Sequence, residues 1–184
     1  MKWIKLTAYT LFLFSFLLSI TACEKDDEKK KTTDYSRTNI VMSGAQEVPA
    51  NPSTATGSMD VFYSTVTKTL TYTVRWSGLT DSVANMHIHG LAPVGYNAGV
   101  FQNIVINGTP PNTLFPQKTN GKYTFGKSGT LSGSLYIDGA AIKEVDLLNG
   151  FYYINIHTNG INPSLPPPNN TYAGGEIRGQ IVFQ

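Results

Sequence analysis

The chain has 184 residues, 41% of them apolar, with 14 Lys and Arg against 12 Asp and Glu and a single cysteine. The formal excess of +2 is carried by Lys2 and Lys5, so the rest of the chain has no net field to track phosphates, and nucleic acid is not an expected partner. One cysteine excludes an internal disulfide, so the folded part must be held by its core.

Taken in chain order, the first element is a secretory signal over residues 1–22, in which Lys2 and Lys5 precede an apolar run over 6–20. That run is short for a spanning helix, which needs about 20 apolar residues. It ends in Ile20-Thr21-Ala22-Cys23, the layout of a bacterial lipoprotein processing site, where the cysteine sulfur is acylated and becomes the new N-terminus. Removing the first 22 of 184 residues leaves 162, enough for one domain with a real core. Residues 23–38, rich in both signs of charge, are expected to form a solvated tether, leaving a single domain over 39–184. The expected location is the bacterial outer membrane, facing the periplasm or the exterior.

From residue 39 onward, short β-branched and aromatic runs alternate with Gly, Pro, Asn and Ser at turn positions, which is all-β patterning. Strands are predicted at 39–48, 57–65, 69–77, 84–90, 100–106, 130–137, 151–157 and 176–183. In 69–77, Leu70, Tyr72, Val74 and Trp76 share one face while Thr69, Thr71, Thr73 and Arg75 share the other. Only 140–149 has helical composition, with Ile142, Val145 and Leu148 at spacing three and Gly150 as a stop. About eight strands and at most one short helix predict an antiparallel β-sandwich or flattened barrel. Two long loops, 107–122 and 158–175, are rich in Pro and Asn and are expected to be functional or simply mobile.

Chemistry-bearing residues follow from strand parity. His87 and His89 point the same way, with Met86 and Ile88 opposite; Tyr153, Asn155 and His157 share a face opposed to Ile154 and Ile156. Glu176, Arg178 and Gln180 are likewise separated from Ile177, Ile181 and Phe183. If these three strands are neighbours, His87, His89 and His157 converge, and three neutral nitrogens with an open position suit Zn²⁺ or a copper ion. Glu176 or Asn155 would then fix the histidine tautomers. The competing reading is a metal-free polar network, in which Glu176 pairs with Arg178 and the histidines donate to carbonyls or carboxylates. No Ser-His-Asp spacing, Gly-x-Ser-x-Gly or Gly-x-Gly-x-x-Gly motif is present, and no particular carboxylate pair stands out.

Several of these residues lie in stretches that resemble one family. "MSGAQEVPA" (42–50), "ATG" (55–57), "LTYTVRWSGL" (70–79), "MHIHGLAPVG" (86–95), "GFYYINIHT" (150–158) and "GGEIRGQI" (174–181) are similar, in order, to the CHRD domain, named for chordin and found singly in bacterial exported proteins. The resemblance runs from about residue 40 to the C-terminus and implies an extracellular all-β domain. Its signature positions fall on His87, His89, Gly90, Asn155, His157, Thr158, Glu176, Arg178 and Gln180. Chordin's growth-factor binding is not carried over, and residues 159–173 depart from the family's shorter link.

The leading expectation is therefore a non-enzymatic, lipid-anchored binding or cell-envelope module, reaching the membrane through Cys23 and taking an unidentified protein or glycan ligand. The rival is a metal-binding protein or metalloenzyme with His87, His89 and His157 as ligands; the third reading makes the motif face purely architectural. Tyr96, Phe101, Phe115 and Tyr172 are the first candidates for a partner surface.

Overall fold

The computed structural model describes residues 33–105, 118–119, 122–123 and 125–183. The signal segment, Cys23, residues 24–32, Phe115 and most of the 107–122 loop lie outside the described residues. The strands are β1 (Tyr35–Ser43), β2 (Thr56–Ser64), β3 (Thr69–Ser77), β4 (Val83–Gly90), β5 (Val100–Val105), β6 (Lys118–Thr119), β7 (Lys122–Tyr123), β8 (Gly129–Tyr136), β9 (Tyr152–Thr158) and β10 (Ile177–Gln180). One helix, α1 (Glu144–Leu148), precedes β9, and 3-10 turns occupy Gly44–Gln46 and Tyr172–Gly174.

Eight strands form one antiparallel sheet in the order β5-β4-β9-β10-β1-β2-β3-β8, and β6 pairs with β7 separately. The sheet curls until its two edges nearly meet. Across that seam the Gln102 amide on β5 donates to the Ser134 carbonyl on β8 at 3.3 Å. Of the two forms the strand count predicts, sandwich or flattened barrel, the result is the flattened barrel.

Parity built the interior as expected. Leu70, Tyr72, Val74 and Trp76 are buried, as are Met86 and Ile88 of β4, Ile154 and Ile156 of β9 and Ile177 of β10, all in one apolar cluster. On the outer side of β3, Arg75 instead pairs with Asp60 at 2.8 Å in water.

Three predicted elements differ from the sequence reading by more than one residue at an end, each for a local reason. The first strand starts at Tyr35, within the segment read as tether, and stops at Ser43 rather than 48. Its expected end turns away because the N–H groups of Glu47 and Asn51 both donate to the Gly44 carbonyl, closing a turn that carries residues 44–51 over the sheet. The helix is also shorter than 140–149. Asp138 Oδ1 accepts from the N–H of Ala140 and Ile142, spending that stretch in a side-chain-closed turn. As a consequence Leu147 is buried and Val145 is 57% exposed, the reverse of what spacing three from Ile142 implied. Gly150 does act as the stop, with φ of 73° just beyond the helix. Finally, the last strand is paired only over Ile177–Gln180, although the Ile181 N–H still reaches the Tyr152 carbonyl.

Candidate metal and ligand site

β4, β9 and β10 are adjacent, and their register sets His87 opposite Asn155, His89 opposite Tyr153 and Arg178 opposite Asn155. The face these residues share is not a solvent surface. Every residue of β9 and β10 is buried on both sides of the sheet. The polar side is covered by residues 44–51, by the loop after β4 and by the chain leading into β10. It forms a second core made of hydrogen-bonding groups.

Within it the ligand nitrogens of His87, His89 and His157 lie within 4.8 Å of one another. His157 Nδ1–H donates to the Ala173 carbonyl at 2.8 Å, which leaves Nε2 as a bare lone pair in the neutral ring. His89 is held in the same way, its Nδ1–H donating to the Ala98 carbonyl at 3.0 Å. His89 Nε2 is buried and has no hydrogen-bond partner. In that tautomer His157 Nε2 accepts from His87 Nδ1–H at 3.0 Å, and the Asn155 amide, 2.9 Å from the same nitrogen, complements it when its NH2 group faces the ring.

A backbone carbonyl fixing one ring nitrogen while the other is offered is how metal-ligating histidines are oriented. Two nitrogens bound at about 2.0–2.1 Å to one ion sit roughly 3.0–3.4 Å apart. The His87–His157 pair has that separation already; the rings of His89 and His157 stand farthest apart, with centroids at 6.2 Å.

All three imidazoles are pushed toward the neutral form that a metal requires. His87 is lowered to about 4, first by burial and then by its two imidazole neighbours. His89 and His157 are lowered by burial, against the opposing pull of the Ala98 and Ala173 carbonyls.

Around this triad the remaining polar groups interlock. The Tyr153 ring stacks on His89, with centroids 4.8 Å apart and planes within 2°. Its hydroxyl accepts from the Ala98 N–H at 3.2 Å. The Arg178 guanidinium carbon lies 3.4 Å from the centre of the same Tyr153 ring. Arg178 donates to Asn97 Oδ1 at 3.3 Å and to Gln180 Oε1 at 3.0 Å, and Gln180 in turn donates to the carbonyls of Ala92 and Gly150.

The expected Glu176–Arg178 pair does not form. Glu176 precedes the paired part of β10, and its carboxylate turns to the end of the sheet. There it accepts from Ser53 Oγ, the Thr80 N–H and Thr80 Oγ1, each at 2.9 Å, and from Thr158 Oγ1 at 2.5 Å. Thus Asn155 is beside the histidines and Glu176 is not. Thr158 and Glu176 form a separate clasp. Among the proposed surface aromatics, Tyr96 is 66% and Phe101 36% exposed, but Tyr172 is buried at 2% because its 3-10 turn packs against β9.

Sequence reasoning gave no role to Glu47, although it lies in "AQEVPA". The structure buries its carboxyl beside Asn155 and Arg178, and burial raises it to about 8 in spite of both neighbours. The signal available was a lone acid in an otherwise apolar stretch. Ala98 and Ala173 contribute through their carbonyls, which side-chain chemistry cannot announce.

These two sets of shifts have opposite signs in stability. The histidines bind fewer protons folded than unfolded, so their contribution is present above pH 6.5 and is lost as pH falls, for His87 through about 4. Glu47 binds its proton more tightly folded, so its contribution falls as pH rises from 4.5 to about 8. Between pH 6.5 and 8 only the second slope remains, amounting to about 1–2 kcal/mol. Urea unfolding at several pH values should show that decline in the wild type and a flat profile in Glu47→Gln; equal slopes would contradict the burial of this carboxyl.

The family model of the CHRD domain matches residues 38–165, more than half of the chain. The chain belongs to the CHRD domain family. No curated protein and no solved structure matches it. Within the CHRD match lie Glu47, His87, His89, Asn155, His157 and Thr158, whereas the Glu176–Gln180 motif falls beyond its end at residue 165. The resemblance read from sequence to the C-terminus is therefore matched only as far as the 158–175 loop.

Proposed function

We propose that this CHRD domain is a non-enzymatic binding module outside the cytoplasm, tethered through an acylated Cys23, whose three-histidine site takes a transition-metal ion, Zn²⁺ or copper. The observation that carries the reading is His89 Nε2. A buried imidazole nitrogen with a lone pair, no partner and its other nitrogen held by a carbonyl costs free energy unless something fills it, and two more imidazole nitrogens share the same few ångströms. Neutral imidazoles without carboxylate or thiolate ligands fit a borderline or soft ion better than Ca²⁺ or Mg²⁺, which prefer oxygen. An ion here would be held as a structural or carried ligand, since no nucleophile or acid–base pair accompanies it among the described residues.

Elemental analysis of the full-length chain, purified without chelators, should give about one zinc or copper per chain. The triple variant His87→Ala, His89→Ala, His157→Ala should hold none. A metal-free wild type that stays metal-free after incubation with both ions would remove this reading in favour of the architectural one. The anchor has its own test: Cys23→Ser should abolish the acyl mass on the N-terminal peptide and shift the chain from the membrane to the soluble fraction, and an unchanged distribution would refute it.

A further inference from the structure

Neighbouring strands of the large sheet run antiparallel throughout, so the connections divide between two ends of the barrel. The end at which the chain enters β1, at Tyr35, carries the β2–β3, β4–β5 and β8–β9 connections. The other end carries β1–β2, β3–β4, β5–β8 and β9–β10.

Exposed apolar side chains are not shared evenly between the two. At the Tyr35 end, Val66 lies in the β2–β3 turn, Leu91, Val94 and Tyr96 lie in the β4–β5 loop, Tyr136 is the last residue of β8, and Val145 is on α1. Each of these is more than half exposed. The connections at the opposite end offer only Ile161 and Leu165 among the described residues.

The most prominent of these side chains are presented by an ordered turn. The Tyr96 N–H donates to the Pro93 carbonyl at 3.2 Å, and Gly95, with φ of 85°, takes the left-handed position that such a turn needs. At its base the Ala92 N–H donates to the Phe151 carbonyl, and the Ala92 carbonyl accepts from Gln180, both at 2.9 Å. A tip already held in place loses little conformational entropy when it makes a contact.

Apolar surface gathered on one side of a domain marks a contact with a protein or with a membrane. Chain connectivity selects the membrane. Twelve residues separate Cys23 from Tyr35, a reach of at most about 40 Å. Running back along a nine-residue strand would use about 30 Å of it, so the Tyr35 end is the one that an acylated Cys23 brings to lipid. Residue chemistry agrees, because tyrosine combines an apolar ring with a polar tip and settles at the headgroup level. The connections at this end carry Lys68 and Lys143 against Asp138, Glu144 and Asp146, and Lys68 is paired with Glu144 at 2.7 Å. With no basic excess, the attraction is apolar and does not call for anionic lipid.

We propose that the Tyr35 end of the barrel rests on a neutral phospholipid surface, with Leu91, Val94 and Val145 entering it and Tyr96 and Tyr136 at headgroup level. This deepens the tether reading, on which it rests for the nearness of lipid, and it uses none of the three histidines. The 159–175 excursion and the Glu176 clasp then face away from the membrane.

The full-length chain, purified as the cell processes it, would be mixed with excess phosphatidylcholine vesicles containing a photoactivatable phosphatidylcholine. Crosslinks located by mass spectrometry should fall on residues 91–101 and 143–148 at least fivefold more often than on 159–175, equally at low and high salt. Val94→Asp, at a position 72% exposed, should lower labelling of 143–148 at least threefold by lifting the whole end. Val41→Asp, also exposed but away from this end, should leave the pattern unchanged. Even labelling of both ends, a pattern unaltered by Val94→Asp, or an equal loss in Val41→Asp overturns the proposal. The same digest shows whether Cys23 carries an acyl mass, which separates the two readings. An acylated, vesicle-bound chain with no label on 91–101 overturns this contact, leaves that surface to a protein partner and spares the tether. Labelling of 91–101 on an unacylated chain refutes the tether and supports the contact, and a chain that neither binds vesicles nor takes label overturns both.

Discussion

Glu176→Ala is expected to lower stability by about 3–5 kcal/mol. The carboxylate is fully buried, with no cation among the described residues paired with it; four donors from Ser53, Thr80 and Thr158 satisfy it instead. Removing it orphans all four at once, including one backbone N–H, and each unsatisfied buried donor costs about 1–3 kcal/mol before relaxation. Those donors belong to the segment before β2, the turn after β3 and the end of β9, so the carboxylate ties three separate connections to the start of β10. Thr80→Val and Thr158→Val remove fewer of the bonds and should cost about 1–2 kcal/mol each. Against a typical total of about 5–15 kcal/mol, the alanine variant should be close to unfolding at growth temperature. Urea denaturation of the four proteins would decide it, and an alanine variant within 1 kcal/mol of wild type would show the clasp to be incidental.

The sequence had placed Glu176 with Arg178 because both have the same parity, and parity was the right tool for most of the molecule. It put Leu70, Tyr72, Val74 and Trp76 inside, gave β4 and β9 their apolar sides, and gathered three histidines from two strands onto one face. It failed for Glu176 since parity holds only while a residue is in the strand, and pairing here begins at Ile177. The same limit explains the first strand, which ends where the Gly44 carbonyl begins to collect N–H groups, and the helix, whose first turn is replaced by the Asp138 side chain. Nor could alternation tell that the polar face is covered. That depends on residues 44–51 folding back and on Asn97 donating to the Val48 carbonyl at 2.6 Å, contacts between segments far apart in the chain. Glu47 became visible only through that cover.

The histidine site gives the second large effect, and the two outer members of the triad separate its two explanations. Without metal, His157→Ala should destabilise by about 2 kcal/mol, because a buried ring is lost and the Ala173 carbonyl loses its donor. His87→Ala should be within about 0.5 kcal/mol of wild type, since its ring is half-exposed and held neutral beside two other imidazoles. With free Zn²⁺ at a hundredfold excess over its dissociation constant, the wild type should gain about 2.7 kcal/mol, which for a domain of this size raises Tm by about 5–10 °C. Both variants should lose that gain, although only one of them is weakened beforehand. A metal-free architectural network makes the contrary demand: His87→Ala would then match the wild type in Tm with zinc as well as without it. Thermal unfolding of the three proteins, each with and without zinc, therefore tests whether the unpartnered nitrogen of His89 exists to be filled.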